Sequence, residues 1–335
     1  MDLKNYTNEY EESNSEEEML WKLLYPKTAQ TTFFLEIFNA TLSSFGCVGN
    51  IFIMVIISQW KNLSSGAAFM ASLALADLQS IVFDGFVYEL FPLSGFNLTL
   101  INRWLCAILN YVSNLTTSVS IWVTALFSVD KCLAVLFPFK YKELGKPKIC
   151  IIATIFANIF LAIVLSPALF VFDLNVEKNE CSVSNFEFVS RFFYFKIRMP
   201  ITIAAISILP ISVVLICTVT TLFKLRLNMR KRRNQRESSQ ANVSARDRLD
   251  KEITRQMLAV CILFCVLKVS GSVIYKLNYG SEMNTVYEQA VFNLRDKINS
   301  ILTTMLNGCN LFLYLIFGRK FRADFKRLFW KSENE

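Results

Sequence analysis

The sequence contains no histidine and little charge for its length. Of its 335 residues, 19% are charged and 53% are hydrophobic, with a mean hydropathy of +0.39. The missing histidine excludes histidine metal sites and histidine general bases. The sequence also lacks a phosphate-cradling glycine loop and a nucleophile with a base in reach of it. These absences argue against an enzyme.

The sequence contains long apolar runs with few charged residues. A soluble protein of this length carries about 25% charged residues, and apolar runs of about twenty residues are typical of membrane helices. We therefore predict an all-α membrane protein, a seven-transmembrane helix bundle over 33–317. The apolar blocks lie near 33–58, 67–91, 103–137, 149–172, 199–223, 256–275 and 298–317.

The N-terminal segment has no apolar core of a signal peptide, since the first apolar block begins near Phe33. Residues 1–32 are acidic, and we expect a disordered extracellular tail. An acidic tail outside and a basic C-terminal tail in the cytoplasm require an odd number of crossings, which seven satisfies. We expect the plasma membrane as the location.

The net charge of +8 is concentrated in two segments, 224–255 and 319–331. Lys and Arg beside membrane helices mark the cytoplasmic side, so the charge argues against nucleic-acid binding. The loop 224–255 is interpreted as a solvated anchor beside anionic lipid or as a docking surface for a cytoplasmic partner, and the two roles are compatible. In 318–335, apolar residues recur on one helix face, which predicts an amphipathic eighth helix in the inner bilayer interface.

Two cysteines and two sequons fall on the predicted outer side. Of nine cysteines, only Cys106 and Cys181 lie where disulfides persist, and a bridge would hold the loop 173–198 over the third helix; the alternative is two free thiols. Asn5 and Asn97 match the glycosylation pattern.

The order of local motifs resembles that of the rhodopsin-like G-protein-coupled receptors, in a divergent form. The resemblance covers nearly the whole chain. The matching motifs are Gly49-Asn50, Leu73-Ala74-Leu75-Ala76-Asp77, Asp130-Lys131-Cys132, Asn310-Leu311-Phe312-Leu313-Tyr314 and Phe321-Arg322. The resemblance implies an extracellular ligand, a heterotrimeric G protein and arrestin as partners.

The resemblance also implies a polar core and an activation switch. The core positions Asp77, Ser120, Asn307 and Asn310 offer oxygen atoms either to a sodium ion or to a network of waters. A carboxylate at that depth needs such partners. The switch positions are Asp130, Lys131, Asp250, Asn310 and Tyr314, with either a contact from Lys131 to Asp250 or separately solvated charges.

Several departures from the family put conventional activation in doubt. Lys131 replaces an arginine, and its compact ammonium cannot reproduce the planar five-donor fork. Leu311 replaces a proline, Ser270 a second proline and Lys268 a tryptophan. We hypothesise that Lys268 pairs with Asp84 or Asp77 across the bundle; the alternative is a lipid-facing lysine.

The ligand class follows by comparison with other family members. Ser113 stands where amine receptors have an aspartate, and Thr304 where opsins have a lysine. A peptide, basic or amidated, is favoured over a chemosensory molecule or a lipid. The pocket candidates are Asp84, Tyr88, Ser113, Thr117, Lys268 and Tyr275, any of which is alternatively a packing position. A transporter is disfavoured because the chain has no internal repeat and few deep charges.

Overall fold

The structure, a computed structural model, describes residues 3–61, 63–175, 180–183, 199–234, 254–255, 258–268, 270 and 286–330. Eight helices organise this part of the chain: α1 Leu3–Ser58, α2 Ser65–Ser80, α3 Arg103–Leu136, α4 Pro147–Leu165, α5 Leu209–Asn234, α6 Leu258–Lys268, α7 Val286–Gly308 and α8 Arg319–Trp330.

Shorter elements connect or extend these helices. They are the π-helical segments Ile81–Leu90 and Ala204–Ile208, the short helices Phe91–Leu93, Pro138–Leu144, Ala168–Val171, Met199–Ile203 and Asn310–Phe317, the 3-10 turn Leu98–Leu100, and the strands β1 Phe172–Asn175 and β2 Glu180–Val183. The strands form an antiparallel hairpin.

Helix boundaries follow local chemistry. Asn102 caps α3 by accepting a hydrogen bond of 2.8 Å from the Leu105 amide. The helix ends at Leu136, just before Pro138 begins the next short helix. Ser64 caps α2 in the same way through the Ala67 amide. The predicted block 103–137 therefore matches α3 almost residue for residue.

The N-terminal segment differs from the prediction. We expected residues 1–32 to be a disordered tail, whereas α1 begins at Leu3 and continues without a break into the first span. The segment is rich in Glu, Leu and Lys, which are strong helix formers. The apolar, span-length part of this helix is Gln30–Ser58.

Five helices among the described residues are long and apolar enough to cross a membrane, and the bent pair formed by Ala290–Gly308 and Asn310–Phe317 adds a sixth. The remaining apolar block is represented by α6, an apolar helix that is short in the described part of the chain. The pair is bent by 41° at Cys309. The bend is present although Leu311 replaces the proline that the family has at this position.

The outer surface of the bundle is apolar, as lipid contact requires. On α4, large apolar side chains such as Phe156 (69% exposed) and Ile163 (67% exposed) point away from the other helices. The packed core is shared by helices α1 to α7; within it Phe69 stacks on Phe127 at 5.7 Å and Phe264 is fully buried. The chain is thus a multi-pass helical membrane protein.

Helices α1 and α7 approach each other through glycine. A Cβ atom added to Gly46 would lie 3.1 Å from the Cα atom of Gly308 and 2.8 Å from a methyl carbon of Ile81. This close packing brings Asn50 within 3.0 Å of the Asn307 carbonyl, to which its amide donates. The contact fixes the position of α7 beside α1 and α2.

Candidate functional site

The predicted disulfide is present at the start of α3. Cys106 and Cys181 are bonded, with Cα atoms 5.7 Å apart. Cys181 lies in β2, opposite Leu174 of β1. Arg103 pairs with Asp173 of the hairpin at 3.5 Å. The hairpin, which the sequence did not reveal, is therefore tied to the start of α3.

Four residues form what we call the outer cluster: Asp84, Ser80, Ser113 and Thr117. The hydroxyl of Ser113 donates to Asp84 Oδ1, while Thr117 and Ser80 donate to Asp84 Oδ2 at 2.5 and 3.1 Å. Asp84 lies in the π-helical segment after α2, and such segments are frequent at functional sites. Three hydroxyl donors stabilise a carboxylate that would otherwise be costly inside a membrane.

Two further pocket candidates are Lys268 of α6 and Tyr88 of the π-helical segment. Among the described carboxylates none comes within salt-bridge distance, 4.0 Å, of the Lys268 ammonium. The Tyr88 hydroxyl is buried and has no hydrogen-bond partner among the described residues. Neither Asp84 nor Asp77 forms a salt bridge with Lys268, so the predicted pairing stays a prediction. Tyr275 lies outside the described residues.

The four predicted core residues come together as the inner cluster: Asp77, Ser120, Asn307 and Asn310. Ser120 donates to Asp77 Oδ1, and the Asn310 amide donates to Asp77 Oδ2 at 2.6 Å. Ser120 Oγ also lies 3.5 Å from Asn307 Oδ1. All four side chains are buried. The side-chain oxygen of Asn310, Oδ1, has no hydrogen-bond partner among the described residues.

Ser80 joins the two clusters, a role that the sequence analysis missed. Its hydroxyl accepts from the Asn307 amide at 2.9 Å, lies 2.9 Å from Thr117 Oγ1 and donates to Asp84. The signal was available, since Asp77, Ser80 and Asp84 recur at the i, i+3, i+7 spacing of one helix face. The clusters differ in access: Asp84, Ser113, Thr117 and Lys268 are partly exposed, whereas the inner cluster is sealed.

Local contacts surround Asp130 and Lys131 at the C-terminal end of α3. Asp130 pairs with Lys131 at 2.9 Å, and accepts from the Tyr141 hydroxyl at 2.7 Å and from Ser65 at 3.3 Å. The Lys131 ammonium lies 5.6 Å from the centre of the Phe127 ring. Burial, and then the charge of Asp130, raise the pKa of Tyr141 above its ordinary value. Asp250, the other predicted partner of Lys131, lies outside the described residues.

Helix α8 packs against the end of α1. The Trp60 indole donates to Asp324 at 2.9 Å, and the Lys320 ammonium lies 3.8 Å from the centre of the Trp60 ring. Tyr314, a predicted switch residue, is fully buried with its ring 5.7 Å from that of Phe321. The placement of this helix in a membrane interface stays a prediction.

The glycosylation predictions stay untested. Asn97 caps the 3-10 turn, where its side-chain oxygen accepts from the amide and the hydroxyl of Thr99 at 3.0 and 2.7 Å. Asn5 lies in α1, and its side chain is outside the described atoms.

Comparison with known proteins agrees with this geometry. The profile of the family described as 7 transmembrane receptor (rhodopsin family) matches residues 49–309. The chain is 23% identical to galanin receptor 2b of Danio rerio over 85% of this chain and 71% of that protein. It is 23% identical to the thyrotropin-releasing hormone receptor of Mus musculus, over 84% of this chain and 75% of that one. The chain is 22% identical to the allatostatin-A receptor of Bombyx mori, over 97% of this chain and 84% of that protein.

Proposed function

The chain belongs to the rhodopsin family of seven-transmembrane receptors, and we propose that it transmits the binding of an extracellular peptide to a heterotrimeric G protein in the cytoplasm. Membership of this family makes the protein a signalling receptor with a ligand and a G protein as partners, and not an enzyme. The peptide class of the ligand is the part that we propose.

The observation that carries the proposal is the similarity, along most of the chain, to receptors named for galanin, thyrotropin-releasing hormone and allatostatin-A. The outer cluster supports it. Its partly exposed carboxylate and hydroxyls lie below a hairpin that the Cys106–Cys181 bond ties to α3. Polar groups at the base of such an opening give orientation and specificity to a bound ligand.

We propose that the cytoplasmic end of α3 is the output of the receptor. Asp130 contacts Lys131 and Tyr141, and we propose that this is the resting arrangement. Release of Lys131 from Asp130 would free its ammonium for the G protein. The basic end of α5 and the following residues to 255 are the proposed docking surface for G protein and arrestin, because basic segments in this place face the cytoplasm.

We propose the plasma membrane as the location, with the N-terminus outside, the C-terminus in the cytoplasm and the apolar helix faces in the lipid bilayer. The asymmetry of Lys and Arg between the two ends of the spans supports this orientation. Exposed large apolar side chains along α4 and α5 support the lipid contact.

A sodium ion fits the inner cluster. Its residues offer a carboxylate, a hydroxyl and amide oxygens, the oxygen ligands that a hard cation prefers, and the Asn310 oxygen is a buried acceptor with no other described partner. Bound sodium would neutralise the buried carboxylate of Asp77. We expect NaCl to raise the unfolding temperature of the purified receptor relative to choline chloride, and Asp77→Asn to abolish the difference. An equal rise in Asp77→Asn would contradict this site.

The function is tested by expressing the receptor at a cell surface, recording its basal second-messenger output and screening a library of basic and amidated peptides. A peptide that raises nucleotide exchange on purified G protein by the reconstituted wild-type receptor supports the proposal. Lys131→Ala should abolish the response while surface expression remains. A response evoked by small lipids or volatile compounds, and by no peptide, would overturn the peptide assignment.

A further inference from the structure

A polar cavity of about 160 Å³ lies between α1 and α7. The residues that line it near the start of α7 and on the facing side of α1 are all polar: Thr32, Glu36, Asn293, Asp296 and Lys297. They stand close to the beginning of two spans, Gln30–Ser58 and Ala290–Gly308. In the orientation proposed above, both beginnings lie on the extracellular side, which is the side from which a peptide arrives.

Helix periodicity explains why these polar groups meet. On each of the two helices the lining residues are three or four positions apart, a spacing that places side chains on one helix face. One turn further along both helices, the buried Asn39 amide donates to Ser300 at 3.0 Å. Beyond this bond the two backbones come close at Gly46 and Gly308. Direct contacts between α1 and α7 therefore close the space below the cavity.

The charges that line the cavity do not cancel. The Lys297 ammonium lies 3.1 Å from Glu36 Oε1, and the two side chains are 22% and 26% exposed. The Asp296 carboxylate lines the same cavity and adds a second negative charge. One ammonium and two carboxylates give the described lining a net charge of −1 at neutral pH. Asp296 and Asn293 are exposed, so the excess negative charge is accessible to a ligand.

The lining favours a monovalent cation with several N–H groups. Carboxylates, a threonine hydroxyl and an asparagine oxygen all accept hydrogen bonds. A guanidinium presents five N–H donors in one plane and pairs with a carboxylate through two of them. Its single positive charge cancels the net charge of −1, whereas a divalent metal ion would leave the lining positive and an anion would be repelled. The volume far exceeds the roughly 10–15 Å³ that one water needs, so a group of several heavy atoms fits.

We propose that this cavity is a guanidinium subsite, which binds an arginine side chain of a peptide ligand. The inference rests on the proposed peptide-receptor function and deepens it by naming the recognised group. Asp296 pairs with the guanidinium. Glu36 contributes Oε2, since Lys297 contacts Oε1, and Asn293 offers an amide oxygen.

The direct test measures the binding of three small probes to the purified receptor by saturation-transfer NMR: methylguanidinium, its neutral analogue methylurea, and tetramethylammonium, a cation without N–H groups. We expect methylguanidinium to bind about fivefold more tightly than either of the others, the size that a partly exposed ion pair allows. Equal binding of methylguanidinium and methylurea would overturn the subsite. Equal binding of the two cations would show that charge alone is recognised, as for a lipid choline headgroup, and would overturn it too. Displacement of methylguanidinium by calcium chloride, but not by sodium chloride of equal ionic strength, would identify a metal site instead.

Two variants should change the preference for methylguanidinium over methylurea in opposite directions. Asp296→Asn removes the pairing carboxylate and should reduce the preference to less than about twofold. Lys297→Met removes the competing ammonium, which takes the net charge of the lining from −1 to −2, and should strengthen the preference. Asp173→Asn is the matched control, because it removes a carboxylate of the hairpin that pairs with Arg103 outside the cavity. An unchanged preference in Asp296→Asn, or a weaker one in Lys297→Met, would overturn the assignment.

The probe experiment and the signalling experiment fail independently, because the probe experiment uses neither a peptide nor a G protein. If the wild-type receptor shows no preference for methylguanidinium while a peptide evokes nucleotide exchange, the peptide function stands and the subsite is wrong. If the preference is present and is lost in Asp296→Asn while no peptide evokes exchange, the guanidinium subsite stands and the peptide function is wrong.

Discussion

The side-chain amide of Asn307 donates a hydrogen bond of 2.9 Å to Ser80. Ser80 donates in turn to Asp84, and Asn307 lies beside Ser120, which donates to Asp77. One continuous polar path therefore runs from the outer cluster to the inner cluster, through residues that are almost completely buried. A change at the partly exposed outer cluster therefore has a physical route to the sealed inner cluster.

Substitution Ser80→Ala should break this path. The buried Asn307 amide would lose its acceptor, and an unsatisfied buried donor costs about 1–3 kcal/mol. We expect a lower unfolding temperature for the purified receptor. Ser44→Ala is the matched control, because Ser44 lies in a span but donates only to Ala40 of its own helix. Equal unfolding temperatures for the two variants would refute the structural role of Ser80.

Tyr141→Phe should raise basal signalling. The change removes the hydrogen bond of 2.7 Å to Asp130 and the 2.5 Å contact with Ser65, which in the proposed function hold the end of α3 at rest. We expect higher nucleotide exchange without ligand. Tyr111→Phe removes a comparable hydroxyl contact at the Ala162 carbonyl and should leave basal exchange unchanged. If both variants behave alike, Tyr141 has no part in the switch.

The contribution of Tyr141 should also depend on pH in a defined direction. Its pKa is raised above the ordinary value of 10 by burial and by Asp130, so the folded receptor holds the phenol proton more tightly than the unfolded chain does. The stabilisation is thus complete below about pH 10 and decreases as the pH rises above it. The unfolding temperatures of wild type and Tyr141→Phe should differ by a constant amount between pH 6 and 9 and converge in stronger base. A difference in unfolding temperature that grows above pH 10 would contradict a raised pKa of Tyr141 in the folded receptor.

Gly46→Ala should destabilise the contact of α1 with α7. The added Cβ atom would lie 3.1 Å from the backbone of Gly308, which cannot move as a side chain does. Overpacking of this kind costs about 1–3 kcal/mol. Val48→Leu, an enlargement on the exposed face of the same helix, should be neutral. The unfolding temperatures of the two variants are compared with that of the wild type. An unchanged unfolding temperature for Gly46→Ala would show that α1 and α7 can move apart with little loss of stability.

Loss of the disulfide should loosen the hairpin over the outer cluster. The bond joins two residues that are 75 positions apart in the sequence. Removing a disulfide typically lowers the free energy of unfolding by about 2–4 kcal/mol. Cys106→Ser, Cys181→Ser and the double variant should lower the unfolding temperature equally, because each breaks the same bond. Cys47→Ser, a change at a free cysteine, should have little effect. A double variant that is much less stable than either single variant would indicate separate roles.

Much of the helical framework could be predicted, because apolar runs and caps are local properties. The third block, 103–137, coincides with Arg103–Leu136, and the amphipathic pattern after residue 318 coincides with a helix at Arg319–Trp330. The N-terminal segment was wrongly predicted to be disordered, since its polar composition conceals a high helix propensity. The hairpin was missed because its pairing joins segments that carry no strong strand pattern.

The candidate site could be predicted only in part. The family motifs brought Asp77, Ser120, Asn307 and Asn310 into consideration, and the structure places them within one hydrogen-bonded cluster. The motifs did not indicate Ser80, whose importance depends on contacts with two other helices. The contact of Tyr141 with Asp130 was equally hidden, because it depends on how the short helix after α3 folds back.

The sequence alone determined that this protein crosses a membrane as a helical bundle, which end of each span carries charge, and which two cysteines were available to join. Only the tertiary structure decided that Ser80 connects the two clusters and that Tyr141 meets Asp130. The physical reason is that a helix apolar on nearly every side has no intrinsic inward face. Its rotation about its own axis is set by the packing of its neighbours, and that rotation decides which polar side chains meet.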